Sequence, residues 1–347
     1  MKKLAIVCTL CFVAFAMQAQ SIGEYKPSLY KFGLKKVNKV PKRVYIQNFA
    51  VHFEVYKEAV DYKQGGSGLG SAVRSDAKAT AAVGIGGVMA EDMQAKTNEL
   101  YNEFVAMLKA EGLEIISVDE AARTEAYEDW VRADGPYVAE SGMPGVLVSA
   151  PDGYSFMYRG LKKNGKKKKA LLGESFKTND LSKDLGGAII ADVNLYVMFT
   201  EDKQDLFKGN AAKVKILTNL RMVGDYYVSA PKTKGLRFKG AQTVEAIKSG
   251  VTFTFNAGKG VTGVYQGSLK KPIEINGVMK REKIVAYQKQ GSVTPTSFTG
   301  YSYTDLADRF SKTAKWIEVD SKKYSDGVYN AATKFVTDHT KAFLSNY

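Results

Sequence analysis

The chain has 347 residues, of which 45% are hydrophobic and 25% are charged, and its formal net charge at pH 7 is +14. This composition is typical of a globular protein and excludes a disordered, collagen-like or low-complexity chain. The length predicts one large or two modest domains, and the sequence has no internal repeat of the kind that builds solenoids or propellers. A basic surface attracts polyanions of many kinds, so the charge alone does not identify a partner.

Residues 1–19 have the pattern of a cleaved signal peptide. Two lysines precede an unbroken apolar stretch, and Ala19 ends a small-residue cleavage site. The apolar stretch is shorter than the roughly 20 residues that a membrane-spanning helix needs. Cys8 and Cys11 lie inside this segment, so we predict a mature chain without disulfides or thiol chemistry. The protein is therefore predicted to be exported and periplasmic or outer-membrane-associated in a Gram-negative bacterium, with secretion as the alternative.

The first part of the mature chain is predicted to begin with an N-terminal extension at residues 20–40. Residues 42–60 are rich in β-branched and aromatic side chains, which predicts a first strand. Residues 65–87 are rich in Gly, Ala and Ser and have little pattern, which indicates a flexible excursion or a poorly specified hairpin.

The clearest helix precedes Gly112, a residue suited to the position just after a helix. Its apolar residues fall on one face, namely Met93, Leu100, Tyr101, Phe104, Val105 and Leu108. A short buried strand is predicted next. Ser117 and Glu120 have the spacing of a capping box, which predicts a second helix that extends to about Trp130.

Residues 144–160 predict a hairpin that turns at Pro151, Asp152 and Gly153. The basic run LKKNGKKKKALL follows at residues 161–172. Its candidate contacts for an anionic surface are Lys162, Lys163, Lys166, Lys167, Lys168 and Lys169. Asn-Gly within the run is a tight-turn pair, so the run is predicted to be an exposed loop tip. The alternatives are a well-solvated tip, contact with an anionic envelope surface or an acidic partner, and a nucleic-acid site, which export argues against.

The rest of the chain is predicted to contain mainly strands, followed by a terminal helix. The strands are predicted at residues 191–202, 213–230, 250–268 and 282–290, and the helix at about 320–344. This order predicts an α+β fold with a mixed or largely antiparallel sheet, packed by a few helices and carrying extra β-hairpins. Residues 41–347 are predicted to form a single domain, with insertions at about 61–90, 135–180 and 240–295.

Three segments resemble the curli-secretion channel family and the related TolB N-terminal-like domain. They are RVYIQNFAV with the two helices after it, GAIIADVNLYVMFTED, and KVKILTNLRMV. The resemblance implies a periplasmic core domain that works in secretion or in building a surface structure. The chain has no lipobox, and the connection EDKQDLFKGNAA is too short and polar for a membrane hairpin, because each spanning strand needs about 9–11 residues. The resemblance therefore implies the core of the family rather than its pore.

Few residues offer catalytic or ligand-binding chemistry. His52 and His339 are far apart in the sequence, and neither lies in a metal-binding motif such as HExxH. The Gly-rich stretches have neither the spacing of a dinucleotide fingerprint nor that of a P-loop. We expect no metal, cofactor or nucleotide. Paired carboxylates are the one generic catalytic route that stays open, with candidates at Asp119, Glu120, Glu125, Glu128 and Asp129.

The sequence thus predicts a non-enzymatic envelope protein that acts as an interaction or scaffold component of an outer-membrane-associated secretion or surface-assembly system. Its predicted partners are other envelope proteins, a second copy of itself, or an anionic lipid or glycan surface, and not nucleic acid. Candidate partner-contact aromatics are Tyr226, Tyr227, Tyr301 and Tyr303, because tyrosine offers large contact area with one polar end. The alternatives are a glycan-active hydrolase that uses two carboxylates and an oligomeric outer-membrane channel with membrane hairpins from residues 249–290.

Overall fold

The structure is a computed structural model that describes residues 21–66, 74–128, 130–141, 143–159, 174–202, 211–231, 242–258, 262–290 and 314–347. The α+β fold with largely antiparallel sheets is confirmed. No helix within these ranges has the length and hydropathy of a membrane span.

Four α-helices are present in the described part of the chain. They are α1 (Ala90–Ala110), α2 (Val118–Ala121), α3 (Glu174–Asp184) and α4 (Ser321–Leu344), and 3₁₀ turns cover Leu34–Lys39 and Glu125–Tyr127. The carboxylate of Asp320 caps α4 by accepting the backbone N–H of Lys323 at 2.8 Å. Gly112 follows α1 with φ +78°, as predicted for the residue after a helix.

The described strands follow the chain in this order: β1 (Ser21–Ile22), β2 (Pro27–Phe32), β3 (Arg43–Glu54), β4 (Tyr56–Lys63), β5 (Ala77–Gly86), β6 (Glu114–Ile115), β7 (Trp130–Asp134), β8 (Tyr137–Glu140), β9 (Val146–Ala150), β10 (Ser155–Arg159), β11 (Ile189–Asp202), β12 (Ala211–Val223), β13 (Asp225–Pro231), β14 (Gln242–Lys248), β15 (Gly250–Asn256), β16 (Thr262–Leu269), β17 (Ile273–Asn276), β18 (Lys283–Lys289) and β19 (Lys315–Glu318).

A twelve-stranded sheet is built around β11. Strand β3 runs parallel along one edge of β11. The other edge is shared, because β15 pairs antiparallel with its first half and β12 with its second half. From β15 the sheet continues to β16 and ends at β2, and from β12 it continues to β17 and β18. The strands of residues 249–290 therefore belong to this sheet.

The two faces of the sheet are covered by different elements. One face packs on α1 and α4, where Phe253 stacks on Phe343 with ring centroids 4.0 Å apart. The opposite face meets α2 and α3 in one cluster around Tyr45, and the β13–β14 hairpin in another around Met198. Burial of these apolar side chains on both faces is the main stabilising contribution to the fold.

A buried carboxylate holds a bulge in β11. Glu54 accepts the backbone N–H groups of Phe199 and Thr200 at 3.0 and 2.9 Å, and the Thr200 hydroxyl also donates to it. Burial raises the pKa of Glu54, while the charges of Lys57 and Arg221 oppose that shift. The carboxylate thus satisfies two backbone donors that the bulge removes from the strand ladder.

Two segments predicted as single strands are each divided in two. Val55 separates β3 from β4, because the N–H groups of Val55 and Tyr56 both bind the carbonyl of Gly145, at 2.8 and 3.1 Å. Gly224 separates β12 from β13 at a point where a side chain would lie 2.7 Å from the carbonyl oxygen of Leu269.

The predicted second helix is too long. The N-cap half of the capping box is present, since the Ser117 hydroxyl accepts the N–H of Glu120 at 3.2 Å, whereas the Glu120 carboxylate accepts the guanidinium of Arg43. However, α2 ends at Ala121, whose carbonyl oxygen accepts the Thr124 hydroxyl at 2.7 Å. Such a side-chain bond competes with helical hydrogen bonding. Trp130 begins β7 instead, because that strand pairs with β10.

The hairpin predicted at residues 144–160 is also wrong in its pairing. A turn does lie at Asp152–Gly153, with Gly153 at φ +65°. The flanking strands nevertheless pair elsewhere, β9 with β3 and β8, and β10 with β7. Residues 77–86 lie in the segment predicted as a flexible excursion or a poorly specified hairpin. They form the strand β5, which makes an antiparallel pair with β4.

Candidate interaction surfaces

Only some of the candidate contact residues predicted from the sequence lie in the described part of the chain. The six lysines of the basic run, Tyr301 and Tyr303 lie outside the described residues. Tyr226 and Tyr227 lie on β13 and point to opposite faces of the β13–β14 hairpin, because successive strand residues alternate. Tyr227 is 69% exposed, whereas Tyr226 is partly buried.

Tyr226 has a structural role. Its hydroxyl donates to the carbonyl oxygen of Thr200 at 3.4 Å, and the guanidinium of Arg221 lies 5.2 Å from its ring centroid. Arg221 itself is only 3% exposed and lies 3.6 Å from a carboxylate oxygen of Glu201. A ring held between a buried cation and a backbone carbonyl is anchored from inside, so Tyr227 alone of this pair is free to contact a partner.

The outer face of the β13–β14 hairpin carries a second exposed apolar residue. Val244 is 61% exposed, and it lies diagonally across from Tyr227, which is opposite Ala246. The inner face is apolar as well, because Val228 and Ile247 are buried against Met198. The hairpin is thus apolar on both sides, although only one side faces the core.

A larger exposed apolar group lies on β2, within the predicted N-terminal extension. Leu29, Tyr30 and Phe32 are 50%, 57% and 58% exposed. Strand β2 is the last strand of its branch of the sheet, with β16 on one side and no described strand on the other. Its outer edge therefore presents backbone groups together with large apolar side chains.

Residues 21–32 are held along their length by the segment 262–276. The ladder between β2 and β16 runs from Phe32↔Val264 to Pro27↔Leu269. It continues through a bond from the N–H of Lys270 to the carbonyl of Lys26 at 3.0 Å, and then through β1, which pairs with β17. This arm is a firmly attached part of the sheet.

The chain turns sharply at the far end of β2. Gly33 has φ +65°, and a side chain there would lie 2.8 Å from the carbonyl oxygen of Thr262, so glycine is required on both grounds. The 3₁₀ turn that follows buries Leu34 and Val37. Strand β2 is therefore fixed at both ends, while no strand in the described part of the chain pairs with its outer edge.

Both histidines are internal. Nε2 of His52 lies 2.9 Å from the side-chain oxygen of Asn194, and its ring stacks on Tyr196 at 4.3 Å. Burial lowers the pKa of His52 to about 4. His339 is buried on α4 within hydrogen-bond distance of Tyr265 and Ser268, and burial lowers its pKa too. Two neutral histidines on different core elements do not form a shared site.

Of the candidate carboxylates near α2, Glu125 and Glu128 are exposed and have no ion pair with any described residue, whereas Asp119 and Glu120 are each paired. Asp119 pairs with Arg132 at 2.7 Å, and Glu120 pairs with Arg43 at 2.8 Å. Asp129 lies outside the described ranges. No group of three or more His, Cys, Asp or Glu residues suited to a metal ion occurs among the described residues.

Two open clefts lie on either side of the loop that joins β17 to β18. The larger, of about 750 Å³, runs between this loop and β19 and is lined by Lys280, Arg281, Glu282 and Trp316, among others. The smaller, of about 430 Å³, is lined by Glu201 and Glu274 as well as loop residues. Arg281 pairs with Glu274, and Lys315 with Glu282, so two of the acids that line the clefts form ion pairs with neighbouring cations.

Comparison of the chain with protein-family models, curated proteins and solved structures finds no match. The resemblance to the curli-secretion channel family accordingly stays a prediction from the sequence.

Proposed function

We propose that this protein is a non-enzymatic interaction or scaffold component of the cell envelope, exported through its signal peptide and working in an outer-membrane-associated secretion or surface-assembly system. The observation that carries the proposal is the open edge of β2, where Leu29, Tyr30 and Phe32 are each at least half exposed. Single exposed apolar residues are common on protein surfaces, but three within four residues on a strand edge are not.

An exposed apolar strand edge can pair with strands of other chains and cause aggregation. Proteins ordinarily cover such an edge, shorten it or place charged residues on it. A stable arm that keeps such an edge open is best explained by a partner that covers it. The exposed pair Tyr227 and Val244 on the β13–β14 hairpin offers a second strand surface of the same chemical kind. Two apolar strand surfaces on one exported protein fit a scaffold that joins two components.

The proposal is tested by site-specific photocrosslinking in the intact envelope. A benzophenone amino acid replaces Tyr30 in one variant and Tyr287 in the other. Tyr287 is the matched control, because it is a tyrosine on another strand of the same sheet and is 61% exposed. We expect a discrete adduct with an envelope protein from position 30 and none from position 287.

The same cells are then fractionated with salt, carbonate and detergent washes. Release of the protein by salt or carbonate is the expected result for a component held by contacts with other molecules. Equal crosslinking from both positions, or no adduct from position 30, refutes the proposal. So does hydrolysis of cell-wall glycan that is lost when Glu125 is replaced by Gln, because it assigns the protein to the hydrolase alternative.

A further inference from the structure

Strand β2 has the geometry of a receptor for an added strand. In strand addition, an extended peptide forms main-chain hydrogen bonds with an open sheet edge, and alternate side chains provide specificity. Ser28, Tyr30 and Phe32 point to one side of β2, and Leu29 and Lys31 to the other. An added strand would therefore meet aromatic rings on one side and an aliphatic side chain on the other.

The receptor strand is already ordered before any peptide arrives. The Lys26–Lys270 backbone bond holds one end of β2, and Gly33 with the buried Leu34 holds the other. Preorganisation of this kind lowers the conformational cost of binding, because only the incoming segment must be ordered.

The charges carried by the arm, the 3₁₀ turn and the end of β16 are almost all positive. Basic residues on the arm, on the 3₁₀ turn and at the end of β16 are Lys26, Lys31, Lys35, Lys36, Lys39, Lys270 and Lys271. The one nearby acid in this stretch of sequence is Glu24, which pairs with Lys26 and Lys271. Lys31, Lys35, Lys36 and Lys39 make no ion pair with any residue that the structure describes.

This charge distribution distinguishes between three kinds of partner for the edge of β2: a second copy of the chain, an anionic membrane and an acidic peptide. A second copy of the chain would bring the same lysines to the interface, where like charges oppose association. An anionic membrane fits the lysines but not the open hydrogen-bonding groups of a strand edge. A peptide with apolar residues at alternate positions and acidic ends matches all three features of this edge. Its main chain forms hydrogen bonds with β2, its apolar side chains pack on the exposed side chains, and its acidic ends pair with the lysines.

We propose that β2 binds an extended segment of a partner protein as an added strand, and that this segment is apolar at alternate positions and flanked by Asp or Glu. The inference rests on the proposed function, since it states the chemistry of the partner at the same edge.

The test uses the mature full-length protein and labelled synthetic peptides. The probe peptide alternates Val and Phe with Thr between Glu-Glu ends. One comparison peptide has Lys-Lys ends, and another has Pro at two central positions. We expect the acidic peptide to bind at least about tenfold more tightly than either comparison peptide, with an affinity that falls as salt rises. Hydrogen exchange is expected to show new amide protection at residues 27–32 in the complex.

Two variants locate the site. Lys31→Glu/Lys35→Glu/Lys39→Glu is expected to weaken binding of the acidic peptide by about tenfold or more. The control Lys283→Glu/Lys289→Glu/Lys322→Glu changes the net charge equally at exposed lysines on other elements and is expected to bind as the wild type does. Leu29→Thr/Tyr30→Thr/Phe32→Thr keeps strand-forming residues and is expected to abolish binding.

Equal affinity for acidic and basic peptides, equal loss in both charge variants, or binding without protection of residues 27–32 overturns the inference. A concentration-dependent dimer that the Leu29, Tyr30 and Phe32 changes dissociate also overturns it, because the occupant is then a second copy. If crosslinking from position 30 succeeds while the peptide test fails, the proposed function stands and this inference alone is wrong. If neither succeeds, both are wrong.

Discussion

The contact between β16 and α4 allows a sharp test of how the core is packed. Gly267 on β16 lies against the ring of His339. A Cβ atom at position 267 would be 2.3 Å from both Cγ and Nδ1 of that ring. An ordinary contact between such atoms is about 3.5 Å, so the imidazole must move by about 1 Å in Gly267→Ala.

The ring has little room to move, because hydrogen bonds hold it on both sides. Nε2 lies 3.3 Å from the carbonyl oxygen of Ser268, which can only accept, so Nε2 donates there. Nδ1 of the neutral ring then accepts the hydroxyl of Tyr265 at 3.0 Å. Overpacking costs about 1–3 kcal/mol and a lost hydrogen bond about 1 kcal/mol, so we expect Gly267→Ala to lower the free energy of unfolding by about 2–4 kcal/mol.

Urea unfolding measures this change, and Gly250→Ala is the matched control. At Gly250 on the neighbouring β15, the nearest atom to an added Cβ is the Gly267 carbonyl oxygen at 3.4 Å, which is close to an ordinary contact. Removing that glycine is expected to be neutral or to stabilise by up to about 1 kcal/mol. In a His339→Ala background the cost of Gly267→Ala is expected to fall below about 1 kcal/mol. Equal costs at both glycines, or an undiminished cost without the histidine, would refute the packing described.

Three further predictions concern charge. Burial lowers the pKa of His52 to about 4 in the folded protein, whereas its value in the unfolded chain is about 6.5. Between these two values the unfolded chain binds one more proton than the folded protein does. The free energy of unfolding therefore falls as the pH drops from about 6.5 to 4. The loss attributable to this group is at most about 3 kcal/mol, and we expect a smaller loss in His52→Gln when urea unfolding is followed across about pH 4 to 7. Glu54→Leu is expected to lower the free energy of unfolding by about 3–5 kcal/mol, because the backbone N–H groups of Phe199 and Thr200 lose their acceptor inside the buried bulge. Glu54→Gln keeps a side-chain oxygen as acceptor and is expected to cost less than half as much; equal costs in thermal or urea unfolding would show that the hydrogen bonds contribute little. Replacement of the six lysines at 162, 163 and 166–169 with Gln is expected to weaken envelope association at low salt, and an unchanged distribution between membrane and soluble fractions would remove the anchor hypothesis.

The elements that the sequence predicts correctly are those whose pattern is strong and local. The helix α1 has a repeating apolar face, and residues predicted on it, such as Leu100 and Phe104, are buried. The helix α4 begins and ends within about one residue of its predicted limits. Strand β11 and the β15–β16 pair are predicted at nearly their observed limits, because continuous apolar or alternating runs require no knowledge of the neighbouring strand.

The errors arise where a distant partner decides the structure. The turn at Asp152–Gly153 depends on local sequence and is predicted. The strands on either side of it pair with β3 and β7, and no local pattern indicates these partners. Residues 20–40 are predicted only as an N-terminal extension, and their place in the sheet is not predicted, because their partner, the segment 262–276, lies more than two hundred positions away. The exposed edge of β2 is not predicted for the same reason, although Leu29, Tyr30 and Phe32 are close together in the sequence. Tyr227 was identified, but sequence alone could not separate it from the anchored Tyr226.

The lysines around β2 provide a way to distinguish a binding site from a structural element. Like charges gathered on the arm and the 3₁₀ turn repel one another and cost stability. Lys35 and Lys39 have no described ion pair to offset that cost, and Lys31 has only a cation–π contact, with its Nζ 5.8 Å from the ring centroid of Tyr265. Their replacement by Glu is therefore expected to leave the free energy of unfolding unchanged within about 0.5 kcal/mol, or to raise it at low salt. A structural arm would lose stability when it loses its charges, whereas a binding surface would lose only its partner. Unfolding and peptide binding measured on the same Lys→Glu variant separate the two roles, because only a functional surface gives equal or higher stability together with lost affinity.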